Sequence, residues 1–423
     1  MPRRETATTM RDERAVLIIG TCDTKADELL FMRQCIEGEG GTALMMDVGV
    51  LGEPTFAPDC TKHDVAAAAG TTIPDIVALG DENSAMTRMA EGATALTRRL
   101  YDEGRIGGML ALGGTMGTDL ALDVAAALPL GVPKFVVSTV AFSHLIPPER
   151  MAPDLMMILW SGGLYGLNSI CRSALSQAAG AVLGAGRAGT MPQHDRPVVG
   201  MSSLGKSCLK YMVTLKPALE ERGYEVAVFH TTGMGGRALE SLAGQGRLAA
   251  VLDLSLQEVG NHACGSVVTS GADRLEATGR AGVPQIVAPG ALDLIDLPTW
   301  QALPEKFANR GYHAHNRLIA SVTMTPDERR AAARVVAEKL KRSGAPTTFV
   351  LPLGGIEEWD RPGEDLHDAE GLAAFVDECR AAIGPPVELI EVDAHINDPV
   401  FTDTVIEVFD RLVRDGAVAP GAA

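Results

Sequence analysis

Residues 15–38 read AVLIIGTCDTKADELLFMRQCIEG, and this stretch decides the fold class. Ala15–Ile19 is an unbroken aliphatic run with no polar alternation, the pattern of a strand buried on both faces. Gly20–Lys25 is a polar turn, and Asp27–Glu37 has helical spacing and is stopped by Gly38. Strand, polar loop and helix recur downstream. Residues 42–48 and 107–112 read as strands, the latter followed by Gly113-Gly-Thr-Met-Gly117 and a helix over 118–128, and 134–138 reads as a further strand. Buried strands alternating with helices predict an α/β protein with mainly parallel sheets covered on both faces.

The pattern starts again near Pro197. A strand opens at 197–200, a helix runs over 208–221, and strands follow at 225–230 and 249–254. Gly282-Val-Pro-Gln-Ile-Val-Ala288 echoes Gly131-Val-Pro-Lys-Phe-Val-Val137. Two Rossmann-like halves are expected, with a ligand cleft between them. The polar, glycine- and proline-bearing stretch 186–197 is the join. The expected organisation is a disordered tail over 1–14, a nucleotide-binding half over 15–190 and a substrate half over 191–423. One late helix carries every terminal signal: Thr325 as N-cap, Pro326 at the first position, Asp327 and Glu328 at the positive end, Lys339, Lys341 and Arg342 at the negative end, and Gly344 beyond.

The chain has 423 residues, enough for two or three domains. Lys and Arg number 37 against 54 Asp and Glu, a net charge of −17, which disfavours nucleic acid and anionic membrane as partners. The apolar runs are short against the roughly 20 residues of a membrane-spanning helix, and the polar start MPRRETATTMRDER is no signal peptide. Seven scattered cysteines without a C-x-x-C fit reduced thiols in a cytoplasm.

Ligands of open parallel sheets sit beyond the carboxyl ends of the strands, and four such loops have telling composition. Gly20, Thr21, Asp23, Thr24 and Lys25 offer a close-approach glycine, hydroxyls and a positive charge at a helix start; the plain alternative is a helix cap. Gly113, Gly114, Thr115 and Thr118 form an amide-rich turn into a helix, suited to an anion or to packing alone. Residues 200–207 match G-x-x-x-x-G-K-S, so Lys206 would neutralise phosphate, Ser207 would hold magnesium, and Asp253 would be the second carboxylate of a P-loop site; chance is the alternative in a glycine-rich chain. His230-Thr-Thr-Gly-Met-Gly-Gly-Arg237 ends a strand in histidine and opens a helix with arginine, a carboxylate or phosphate clamp or else a solvated turn.

Two clusters lie further on, His313-Ala-His315-Asn316 and Asp393-Ala-His395-Ile-Asn397-Asp398. Both read as strand ends, where residues i and i+2 share a face, so the histidines suit proton transfer. Metal-ligand spacing is not decisive in either, and no metal ligand is assigned.

Together these motifs resemble the ATP-binding region of the tomato mosaic virus resistance protein family, over about residues 16–409. The resemblance rests on residues 20–25, Leu112-Gly-Gly-Thr115, Ser138-Thr-Val-Ala141, residues 230–237, Gly290-Ala-Leu-Asp293, His313–Asn316 and His395–Asp398. It implies two Rossmann-like subdomains, ATP binding and self-association, and it adds Ser138 and Thr139 to the nucleotide loops. Residues 202–207 and 254–257 depart from the family's threonine-rich pattern, which points to a changed, more anionic ligand in the second half.

The expected function is therefore an ATP-dependent enzyme, with magnesium as companion ion, that activates or phosphorylates a small anionic carboxylate. ATP would sit on the first-half loops. Lys206, His230, Arg237, His313, His315 and His395 would bind the acid and move a proton. The alternatives are a nucleotide-binding regulator without turnover and a metal-dependent hydrolase or isomerase.

Overall fold

The computed structural model describes residues 14–422 except 161, 163, 165, 193, 194 and 207. The tail expected over 1–14, apart from Arg14, and the expected magnesium ligand Ser207 lie outside the described residues. The chain divides into two compact units, Met1–Pro192 and Gln193–Ala423.

The first unit holds β1 (Ala15–Gly20), α1 (Ala26–Gly38), β2 (Ala43–Asp47), α2 (Lys62–Ala68), α3 (Ile73–Ala78), α4 (Glu82–Asp102), β3 (Ile106–Gly113), α5 (Thr115–Ala127), β4 (Lys134–Ser138), β5 (Leu155–Leu159) and α6 (Ser169–Ala188). All five strands are parallel, in the order β2-β1-β3-β4-β5. The alternation of a strand explains the two layers. Val16 and Ile18 pack into one core with residues of α1 and α6, while Leu17 and Ile19 pack into another with residues of α4 and α5.

The second unit holds β6 (Val198–Ser203), α7 (Lys210–Glu221), β7 (Glu225–His230), α8 (Gly235–Gly244), β8 (Ala250–Ser255), α9 (Gln257–Ala263), α10 (Ala277–Arg280), β9 (Gln285–Gly290), β10 (Leu294–Pro298), β11 (Tyr312–Ala314), β12 (Ile319–Thr323), α11 (Pro326–Lys341), β13 (Thr347–Pro352), α12 (Ala369–Ala382), β14 (Glu388–Val392) and α13 (Pro399–Arg414). Six parallel strands run β14-β13-β9-β8-β6-β7. From its first strand this sheet repeats the order of the first unit, which is the structural counterpart of the restart at Pro197. α11 begins as its sequence signals require, with Thr325 and Glu328 forming a reciprocal capping box and Pro326 in the first turn.

A three-stranded antiparallel sheet, β10-β12-β11, departs from the expected layout. His313 was expected at the carboxyl end of a parallel strand. It lies instead in β11, whose three residues pair antiparallel with β12. A strand that short has no periodicity to reveal it.

Candidate functional site

In the first unit β1 and β3 are neighbours whose chain connections lead away in opposite directions, the switch point where such sheets bind ligands. The loop after β1 leads into α1 and the loop after β3 into α5. Neither Lys25, the N-cap of α1, nor Gly114, the N-cap of α5, supplies a side-chain cap. Two helix starts therefore present backbone N–H groups that no side chain among the described residues caps, and both carry positive partial charge. A cavity of about 300 Å³ lies here, lined by Gly20, Thr21, Lys25, Gly113, Gly114 and Thr115. Glycine is required at Gly113, where a Cβ would come 2.5 Å from Gly117 Cα, and is optional at Gly114, where a Cβ would meet nothing nearer than 3.8 Å. The Lys25 ammonium hydrogen-bonds the Leu164 carbonyl oxygen, and Thr21 and Thr24 hydroxyls lie 2.7 Å apart.

An apolar cavity of about 460 Å³ shares Thr21, Val48, Met116, Gly117 and Leu120 with this site and continues along Val50, Ile76, Met86 and Met89. Asp23 and Thr24 line it too. Asp23 Oδ2 accepts from Gly52 N, whereas Oδ1 is buried without a partner among the described residues. Asp47, not singled out in the sequence, fixes the loops: its Oδ1 accepts from Cys22 N and Gly49 N at 3.0 and 2.9 Å. Of the remaining expected residues, Thr118 and Ser138 are fully buried and hydrogen-bond each other at 2.7 Å, so they brace the loops. Thr139 lies beside Gly114 and its N–H donates to the Gly113 carbonyl.

In the second unit a pocket of about 330 Å³ gathers Lys206, His230, His313 and His315 with Gln257, Asp296 and Trp359. Lys206 follows β6 and His230 ends β7, neighbours in the parallel sheet, and Gly205 N approaches His230 Nδ1 at 3.4 Å. The other two histidines come from the antiparallel sheet. His313 packs on Trp359 with ring centroids 4.2 Å apart and on His315 at 4.7 Å. Partial desolvation and, second, His313 push the His315 pKa below the usual histidine value, which favours its neutral form. His315 Nε2 lies 2.7 Å from Ser321 Oγ, which in turn reaches Asp296. Burial raises the Asp296 carboxyl to about 6.

Two expected catalytic residues are committed elsewhere. Arg237 pairs with Asp273 at 2.9 Å, and the amides of Gly233 and Gly236 donate to the buried Glu258 carboxylate. The glycine loop after β7 thus binds an anion, but one from its own chain. His395 is buried, its Nε2 2.8 Å from the Glu357 carbonyl and its Nδ1 accepting from Asn397 N. Asp393, beyond β14, is exposed. Gln257, Asp296 and Ser321 escaped sequence reading; only the alternation of polar residues in an apolar run, Leu294-Ile-Asp-Leu297 and Ile319-Ala-Ser-Val322, could have flagged the last two.

The P-loop reading of residues 200–207 is overturned. Gly200 to Ser203 belong to β6, and the next helix starts only at Lys210. Gly200 serves packing, since a Cβ there would lie 2.5 Å from Leu239 Cδ1. Asp253 is held by Arg274 and by Ser202 Oγ at 2.8 Å, leaving it no magnesium role. Among the described residues no group of three or more His, Cys, Asp or Glu side chains is arranged to hold a metal ion, and no helix is long and apolar enough to cross a membrane. The seven cysteines are free thiols.

The sequence profiles of the uncharacterised protein family UPF0261 match residues 14–190 as N-terminal domain and 196–413 as C-terminal domain. The chain is 61% identical over 406 residues to a UPF0261 protein of Brucella melitensis, covering 96% of this chain and 97% of that one. It is 35% identical over 391 residues to a UPF0261 protein of Clostridium tetani, 92% and 96% of the two chains. The ToMV resistance protein Tm-1 of Solanum lycopersicum is 28% identical over 433 residues, 95% of this chain and 56% of that protein.

Proposed function

This chain belongs to the uncharacterised protein family UPF0261, and we propose that it is a nucleotide-dependent enzyme acting on a small anionic carboxylate. ATP binds at the switch point of the first unit, and the acid binds in the histidine pocket of the second. The observation that carries this reading is the pair of uncapped helix starts at β1 and β3, beside Lys25 and open to an apolar cavity. Phosphate oxygens match unclaimed N–H groups and a lysine, and a purine ring matches a wall of Val, Ile and Met side chains. The orphaned Asp23 Oδ1 suits a water of a magnesium ion accompanying the triphosphate. The bound nucleotide supplies a transferable group; Lys206 and the histidines hold the acid and take its proton. Self-association and a cytoplasmic setting complete the proposal.

A nucleotide-binding regulator without turnover is the second reading, favoured by the removal of Arg237 and His395 from the expected catalytic set. Native mass spectrometry after incubation with magnesium and ATP tests the shared premise. One retained nucleotide per chain is expected, and an unliganded mass at millimolar ATP would count against both readings. Turnover of a hydroxycarboxylate, followed by phosphorus NMR, separates them.

A further inference from the structure

Ser321 and Asp296 stand behind His315, and the strand register explains why. Asp296 of β10 and His313 of β11 both pair with Ser321 of β12, so the three side chains share one face of the sheet. His315, two residues past His313, falls in line with them. Ser321 and Asp296 are 0% and 2% exposed. Ser321 Oγ donates to Asp296 Oδ1 at 2.5 Å and lies 2.7 Å from His315 Nε2. A hydroxyl has one hydrogen. Spent on the carboxylate, it leaves Ser321 an acceptor toward histidine, so His315 carries its hydrogen on Nε2. Nδ1, which makes no hydrogen bond to a described residue, is then the basic atom of the ring.

A second observation marks this pocket as a ligand site. Gln257 lines it, is 1% exposed, and has no hydrogen-bond partner among the described residues on either amide atom. It is near enough to Asp296 to stabilise that charge without meeting hydrogen-bond geometry. A buried amide with both ends unsatisfied costs stability unless a ligand or water completes it. The charges facing the pocket narrow the ligand. Lys206 supplies one cation, Asp296 is the acidic group of the lining, Glu258 of α9 lies behind it paired with Arg274, and the histidines are the remaining titratable groups. One cation opposite one buried carboxyl suits a single carboxylate better than a phosphate dianion.

We propose that this pocket binds a small 2-hydroxycarboxylate. Lys206 receives the carboxylate, Gln257 and His315 Nδ1 read the 2-hydroxyl, and Ser321 and Asp296 are positioning residues that fix the tautomer of His315. This rests on the reading of the second unit as the substrate site and names its substrate class. The hydroxyl proton facing Nδ1 is the one that a transfer reaction would remove.

Calorimetry on the full chain with glycerate and with 3-hydroxypropionate, which lacks the 2-hydroxyl, tests it. Glycerate binds at least about 10-fold more tightly. Gln257→Leu removes that preference, and Lys206→Met weakens both ligands about 10-fold while ATP affinity is unchanged. Nitrogen NMR of labelled histidine shows the Nε2–H form of His315 in the wild type, a mixed tautomer in Ser321→Ala and recovery in Ser321→Thr. Equal binding of the two acids, binding of neither at millimolar concentration, or an Nδ1–H form of wild-type His315 would overturn the proposal; the wild-type measurements decide even if a variant fails to fold. A chain that discriminates the acids but binds no ATP loses the nucleotide reading alone. One that binds ATP without discriminating loses this inference alone.

Discussion

Arg274 holds Asp253 with both ends of its guanidinium, Nη1 at 2.5 Å from Oδ2 and Nη2 at 2.8 Å from Oδ1, with both side chains about 1% exposed. Nε of the same group reaches Glu258 Oε2 at 2.9 Å, and Glu240 lies 3.5 Å from Nη1. This buried cluster ties β8 to α8 and α9, and it explains why the glycine loop after β7 closes on Glu258 rather than on a ligand. Arg274→Met strands three carboxylates in the interior. The expected cost is about 3–5 kcal/mol of unfolding free energy, read by denaturant titration. A loss under about 1 kcal/mol would mean that the carboxylates protonate or gain water freely.

A second buried cluster sets the pH dependence of stability. Burial raises Glu357 to about 10, with the charge of Asp293 second, and burial raises Asp293 to about 7 against the opposing pull of Arg329. Neither oxygen of Asp293 has a hydrogen-bond partner among described residues. A carboxyl whose folded pKa lies above its unfolded value stabilises the fold below the unfolded pKa, and that contribution is lost as pH rises toward the folded pKa. Asp293, Glu357 and Asp296 all act in this direction. The melting temperature should therefore fall between pH 5 and about pH 7. Asp293→Asn should flatten that decline, gaining on the wild type as pH rises. A wild-type melting temperature that climbs across this window would contradict the assignment.

What could be read in the sequence follows physical range. Local signals were legible: the aliphatic run of β1, the glycine turns after β1 and β3, and the caps of α11 all act within a few residues of themselves. The restart at Pro197 was legible because a repeated unit repeats its pattern. The roles of Arg237 and His395 were not, because each is decided by a partner distant in sequence, Asp273 and Glu357. The match of residues 200–207 to a P-loop misled for a related reason: a consensus records residue types, while strand length decides which residues are in the loop. The link from His315 through Ser321 to Asp296 depends on the register of a sheet whose shortest strand has three residues.

The apolar cavity makes a prediction separable from the phosphate site. If Met86 and its neighbours receive a purine ring, ATP binds more tightly than inorganic triphosphate. Met86→Asp should erase that difference while leaving triphosphate binding within about 3-fold, since a buried ring contributes by apolar area. Competition titration with the two ligands reads it. Equal affinity for both in the wild type would detach the cavity from the nucleotide.

The most direct measurement is calorimetry of ATP on the wild type, Gly114→Leu and Lys25→Ala. A Cβ at residue 114 meets nothing nearer than 3.8 Å and replaces a glycine that lines the cavity, so a side chain can branch from the backbone here and fill the anion site. Lys25→Ala removes a charge-assisted contact, a loss of about 1.5–3 kcal/mol where lysine meets phosphate. The account predicts micromolar or tighter ATP binding to the wild type, at least about 10-fold weaker binding to each variant, and an unchanged melting temperature for Gly114→Leu. Unchanged ATP affinity in both variants would contradict it and remove the β1/β3 switch point as the nucleotide site.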